Sequence, residues 1–104
     1  MLNVLVVAKD DCIRTSFAEV LKSLGFAVST SSTTQRPDAV VAWEPQPSEV
    51  AELRSTLGAI AVIVCTWDHR RTWEGATAVV PMPFRGSRVA REVTKAVRQA
   101  GLAA

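Results

Sequence analysis

The sequence predicts an α/β fold, a parallel sheet wrapped on both faces by helices. Short continuous apolar runs recur at residues 2–8, 38–43 and 59–65, the pattern of strands buried on both faces. Between them lie segments whose apolar residues are spaced by three and four, the stripe of an amphipathic helix. The two kinds of segment alternate with short connections, as parallel crossover units require.

Residues 2–8, LNVLVVA, form the first strand. Asp11 is placed to cap the next helix, whose stripe is Ile13, Phe17, Val20, Leu21 and Leu24, with Gly25 as its stop. Residues 26–30, FAVST, read as a half-buried second strand. The following SSTTQR has no apolar stripe and is too short for an average helix, so it reads as a loop. The third strand is 38–43, behind Pro37. Trp43 and Glu44 stand at its carboxyl end, where open parallel sheets bind ligands. Pro45 and Pro47 break the chain, and Ser48 is placed to cap a helix at 48–57 carrying Val50, Leu53 and Leu57. Gly58 ends it. Residues 59–65, AIAVIVC, are the most apolar strand. After Thr66, the polar WDHRRTWEG has room for a turn or two of helix. Residues 77–80 are a short fifth strand, and Pro81-Met82-Pro83-Phe84 is a rigid corner. Ser87 is placed to cap a last helix that runs to about Ala100 and stops at Gly101.

A chain of 104 residues suits one domain, here residues 1–104. Hydrophobic residues make up 48% and charged residues 21%, a globular composition. No apolar run approaches the ~20 residues of a membrane span. Lys9, Asp10 and Asp11 interrupt the first apolar run too early for a signal peptide. The expected compartment is the cytoplasm, with no membrane partner. Cys12 and Cys65 fit it as buried free thiols. They lack metal-site spacing, and the chain has one histidine, so neither a metal nor a cofactor is expected. Net charge is +2, but residues 1–60 hold five basic and seven acidic side chains, and residues 61–104 hold seven basic and three acidic. The carboxyl-terminal part therefore presents the basic surface.

The order of elements over the whole chain resembles the receiver domain of bacterial response regulators. Four features carry the resemblance: Arg14 in the helix after strand one, Pro37-Asp38 leading into strand three, Thr66 after strand four, and Pro83-Phe84 after strand five. The resemblance implies a flavodoxin-like (CheY-like) five-stranded sheet in the order 2-1-3-4-5. The SSTTQR loop replaces the family's second helix and the fourth helix is shortened. It also implies a cis Met82–Pro83 bond.

The departures bear on function. Receivers hold magnesium with an acidic pair after strand one; the matching positions are Ala8 and Lys9, with Asp10 close behind. The phosphoacceptor aspartate is matched by Trp43, and the phosphate-pairing lysine by Met82 beside Pro83. Magnesium needs oxygen ligands, usually carboxylates, and Lys9 adds a repelling charge. Of the reactive set only Thr66 is left, so the resemblance implies a degenerate form, a pseudo-receiver, with Lys9 paired to Asp10 or Glu44 in place of the metal.

Other residues carry two readings each. Trp43, Trp67 and Trp73 are expected to converge at the carboxyl end of the sheet, as a contact patch or as filling for the lost site; for Trp43, which ends a buried strand, filling is the favoured reading. Arg88, Arg91, Lys95 and Arg98 form a stripe opposite Val89, Val93 and Val97. It reads as a solvated face, or as a docking face, since receivers often dimerise or signal through their fourth and fifth helices. His69 beside Asp68 reads as solvated surface. Cys12 lies two residues before Arg14, whereas a low-molecular-weight tyrosine phosphatase loop needs its cysteine six before, where Ala8 stands.

The expectation is a non-catalytic, phosphorylation-independent interaction module that binds a protein or a second copy of itself. Kept beside it are a regulatory domain of a larger transcriptional regulator, a residual phosphotransfer or phosphatase enzyme, and nucleic-acid binding through the last helix. The last is disfavoured by few basic residues and no recognition motif. The loss of one helix and the shortening of another on the same face further predict poorly covered strands at 2–8 and 38–43, and hence an association surface there.

Overall fold

A computed structural model describes residues 2–30, 36–58, 60–68, 73–82 and 85–103, with side chains to residue 99. The elements are β1 (Asn3–Val7), α1 (Asp11–Ser23), β2 (Ala27–Ser29), β3 (Ala39–Trp43), α2 (Pro47–Leu57), β4 (Ala61–Thr66), β5 (Ala78–Pro81) and α3 (Gly86–Ala103). All strand pairs are parallel, in the order β2-β1-β3-β4-β5. This is the flavodoxin-like receiver topology that the sequence predicts, with three helices among the described residues. None of them is long and apolar enough to cross a membrane.

The apolar runs divide by alternation. Val4, Val6, Ala39, Val41, Ala61, Ile63 and Cys65 face α1 and α3, where they meet Phe17, Leu21, Val89, Val93 and Ala96. Leu5, Val40, Val62 and Val64 face the other way and meet Val50, Leu53 and Leu57 of α2. Both faces of β3 and β4 are buried, which is why these strands have no polar alternation.

Local details depart from expectation. Asp10, not Asp11, caps α1; its carboxylate accepts from the Ile13 N–H at 3.0 Å. A cap must sit outside the helix, and Asp11 is already in the first turn, bonded to Arg14. Gln46 rather than Ser48 precedes α2, and Glu49 Oε1 accepts from the Gln46 N–H at 3.2 Å. Pro47 therefore opens the helix, where its missing N–H costs nothing. Gly101 does not end α3, which runs to Ala103, and Ser87 lies inside its first turn. Cys12 is exposed rather than buried. The SSTTQR stretch up to residue 35, His69 and the centre of the segment expected to hold a shortened fourth helix, and Pro83 with the expected cis Met82–Pro83 bond lie outside the described residues.

The uncovered-face expectation fails. Val40 and Ala42 are fully buried and Leu5 nearly so. Trp73 packs among Leu5, Val40, Val50, Ile60, Val62 and Val64, so the chain's own indole closes much of the face.

On the opposite face, α1 and α3 approach closely at Gly86. A Cβ built there would meet Val20 Cγ1 at 2.3 Å and Leu24 Cδ1 at 3.8 Å. Val20 and Leu24, predicted core residues, are 43% and 45% exposed, and Val20 borders a groove of about 190 Å³ lined also by Ser16, Phe17, Leu21, Gly86 and Val89. Valine in a helix has one strongly preferred rotamer, so Val20 cannot swing aside. Gly86→Ala should lower stability by about 1–3 kcal/mol, the usual cost of overpacking. In Val20→Ala the same change should become close to neutral, and a urea-denaturation double-mutant cycle reads that coupling.

Candidate functional site

The carboxyl ends of β1, β3 and β4 meet where a receiver holds its reactive groups, and the sequence-matched positions converge there. Ala8 and Thr66 are buried. Trp43 is half-buried, packed with Met82 against the α1–α3 core, and its Nε1 has no hydrogen-bond partner among the described residues. The Thr66 hydroxyl accepts from the Asp68 N–H at 3.0 Å, and the Met82 N–H donates to the Thr66 carbonyl at 2.9 Å. Thr66 is thus engaged in closing its own turn and in pairing with the exit of β5.

Lys9 pairs with neither Asp10 nor Glu44. Its Nζ lies 3.3 Å from Glu49 Oε1, with the two side chains 72% and 29% exposed. Asp10 caps α1 and the Glu44 carboxylate accepts from the Trp67 N–H, while Glu49 Oε1 takes Lys9 and also accepts from the Gln46 N–H. The shift of α2's start to Pro47 places Glu49 in its first turn. Lys9–Glu49 therefore links the exits of β1 and β3.

Glu44 makes the second link. Its own N–H donates to the Cys65 carbonyl at 2.9 Å, and its φ is +46°, a left-handed conformation uncommon outside glycine and asparagine. Its carboxylate reaches the backbone just after Thr66. One residue thereby ties the end of β3 to the end of β4 twice. Nothing local in Trp43-Glu44-Pro45 signals this, because the acceptor and donor partners lie more than twenty residues away.

The tryptophans do not converge. Trp43 packs on the α1–α3 face and Trp73 on the α2 face, because they sit on opposite sides of a sheet that both faces need covered. Trp67 is 59% exposed. Arg14, half-buried, donates to the Ala8 carbonyl at 3.0 Å and bonds Asp11, which fixes the loop after β1. Arg88, Arg91, Lys95 and Arg98 are all exposed.

The receiver fold implies a magnesium ion, and these residues do not suit one. The ion needs oxygen ligands; the site offers an alanine, a lysine already paired and an indole, while the carboxylates around it are engaged, Asp10 in a cap, Glu44 with the Trp67 N–H and Glu49 with Lys9. Among the described residues no three acidic, histidine or cysteine side chains group as ligands.

Solved structures that this chain resembles include a response regulator receiver domain protein from Clostridium thermocellum, at 16% identity and a TM-score of 0.81, covering all of both chains. The receiver domain of a sensor histidine kinase from Pseudomonas aeruginosa, with magnesium in its active-site cleft, matches at 19% identity and 0.78, covering 92% of this chain and 97% of that one. Full-length FixJ from B. japonicum matches at 20% and 0.78, covering 95% of this chain and 59% of that one. No protein-family profile matches the sequence, and no curated protein does. The fold is thus that of receiver domains.

Two predictions come from this site. Lys9→Met should change stability by no more than about 0–1 kcal/mol, as for other exposed ion pairs, and the effect should shrink in high salt; a large loss in thermal denaturation would show that Lys9 supports the site. Burial pushes the Cys65 thiol up from 9.0 to about 12. Its folded pKa is the higher one, so its contribution is intact below pH 9 and is lost as pH rises towards 12. An aromatic disulfide reagent near pH 8 should titrate Cys12 alone, and Cys65 only after unfolding.

Proposed function

We propose that this chain is a pseudo-receiver: a receiver fold that carries out no phosphoryl transfer, holds one conformation without phosphorylation, and acts in signal transduction of the bacterial two-component kind by binding a protein. The observation that carries the reading is the double tie from Glu44 to Cys65 and Trp67. In the receiver resemblance, the phosphoryl group on the strand-three aspartate reaches the hydroxyl residue after strand four. Here a carboxylate one residue beyond Trp43 reaches the amide one residue beyond Thr66. The protein's own anion bridges the two strand ends, and no modification is needed to make that bridge.

The rest of the site agrees in its chemistry. An indole at the acceptor position has no oxygen nucleophile, and Lys9 at the metal position is held by Glu49. Met82 at the lysine position brings no charge to pair with a phosphate. The domain is therefore read as non-enzymatic. A second reading, a regulatory part of a larger regulator, is favoured by the similarity to FixJ, of which the match covers 59%.

The test is to add magnesium with beryllofluoride or a small phosphodonor and follow amide NMR, indole fluorescence and intact mass. The expected result is no saturable change in fluorescence, no shifted resonances around Trp43 and Thr66, and no added phosphoryl mass. Saturation in the millimolar range that depends on Asp10, or a phosphorylated side chain, would return the domain to the enzymatic class.

A further inference from the structure

β2 is one edge of the sheet, and its pairing with β1 fixes which of its backbone groups face inward. The Ala27 N–H donates to the Leu2 carbonyl at 2.9 Å. The register sets Ala27 against Asn3, Val28 against Val4 and Ser29 against Leu5. In a parallel ladder, alternate residues bond the same neighbour. Ala27 and Ser29 therefore turn their N–H and C=O toward β1, and Val28 turns both of its groups to the open edge. Edges are commonly blunted with charge or proline, yet residues 23–35 hold neither.

The helix above this edge carries a matching pattern. The Phe26 N–H donates to the Leu21 carbonyl at 3.1 Å, and Val28 packs against the α1–α3 core, so α1 lies over β2. Val20 marks the flank of α1 turned to α3, because it meets Gly86. At ~100° per residue, Asp11, Ala18 and Lys22 fall on the opposite flank, above the edge. Ala18 is small and buried. Asp11 and Lys22 are exposed, about 16 Å apart along the helix. Lys22 makes no ion pair with a described residue, and Asp11 bonds Arg14 through Oδ1 alone.

We propose that two copies of this chain pair antiparallel through β2, about a twofold axis at Val28, into one continuous sheet. Each Val28 N–H then meets the Val28 carbonyl of the second copy, and each Thr30 N–H the second copy's Phe26 carbonyl. A strand of three residues buries too little for a specific interface by itself, so the helical layer must join. With strands ~4.8 Å apart, the two α1 helices come within about 10 Å of each other, the ordinary distance for packed helices. They run antiparallel, which brings Lys22 of each toward Asp11 of the other with Ala18 between. A second copy is the occupant because backbone groups and charges are both self-complementary under the same axis. The inference goes beyond the function proposed above and does not rest on the state of the strand-exit site.

The test is sedimentation of the full chain across the micromolar range, with amide NMR to locate the contact. The expected result is a reversible dimer, with concentration-dependent shifts confined to β2 and the flank of α1 above it, and slower hydrogen exchange at the Val28 amide as concentration rises. Val28→Pro removes only the outward N–H and leaves the bonds of Ala27 and Ser29 to β1, a placement that edge strands tolerate. It should weaken the dimer by at least about tenfold, since two hydrogen bonds are lost. Lys22→Glu should weaken it at low salt and less so at high salt, and Arg98→Glu should leave it unchanged. A monomer throughout the range, shifts at another face, or a dimer untouched by both Val28→Pro and Lys22→Glu would overturn the proposal. If Val28→Pro does not fold, exchange at the wild-type Val28 amide decides: slowing with concentration supports the pairing, and a constant rate refutes it. Magnesium with beryllofluoride separates this inference from the previous one. A dimer that forms only with them sinks the phosphorylation-independent reading and keeps the edge; no dimer in either condition sinks the edge alone.

Discussion

The constraint on which this structure depends is the double burial of its central strands. Ala39 to Ala42 and Val62 to Cys65 are fully buried, so neither face of the sheet can be left to solvent. Apolar side chains on both faces demand two layers of cover. The α1–α3 layer supplies one and α2 the other. Where helix is lacking among the described residues of the α2 layer, Trp73 takes up the area. A single indole can do so because it buries as much apolar surface as several smaller side chains. The closing of that face follows from the constraint and removes the reason to expect a partner there.

The same constraint shapes the carboxyl end of the sheet. Parallel strands deliver all their exits to one end, where a receiver holds an ion and a phosphoryl group among carboxylates and a lysine. Here that end is held by a lysine–glutamate pair, a glutamate in a left-handed conformation and an indole packed beside a methionine. Charge remains, but it is tied into links between strand exits. The polar groups that remain thus connect one strand exit to the next.

The distribution of charge then has a physical reading. Cations close to the site are neutralised by short contacts, and those on α3 are not. Exposed ion pairs contribute little to stability, so an unpaired stripe costs little to keep and remains free to act at long range.

The apolar runs of the sequence were enough to mark the central parallel strands, because a strand buried on both faces carries its signature in consecutive residues; the order of the five strands followed from the resemblance to receivers. Trp43 at the exit of β3, Thr66 at the exit of β4 and the stripe on α3 were legible for the same local reason. Partners were not. Lys9 meets Glu49, forty residues on, because the packed fold brings the first turn of α2 against the loop after β1. Glu44 reaches Trp67 because β3 and β4 are neighbours in register, Trp43 opposite Cys65. Which face each tryptophan covers depended on the register of elements far apart in the chain. Local pattern determines which elements form. Only the packed sheet, which brings distant strand exits within hydrogen-bond distance, decided which charged groups hold the fold and which are left exposed.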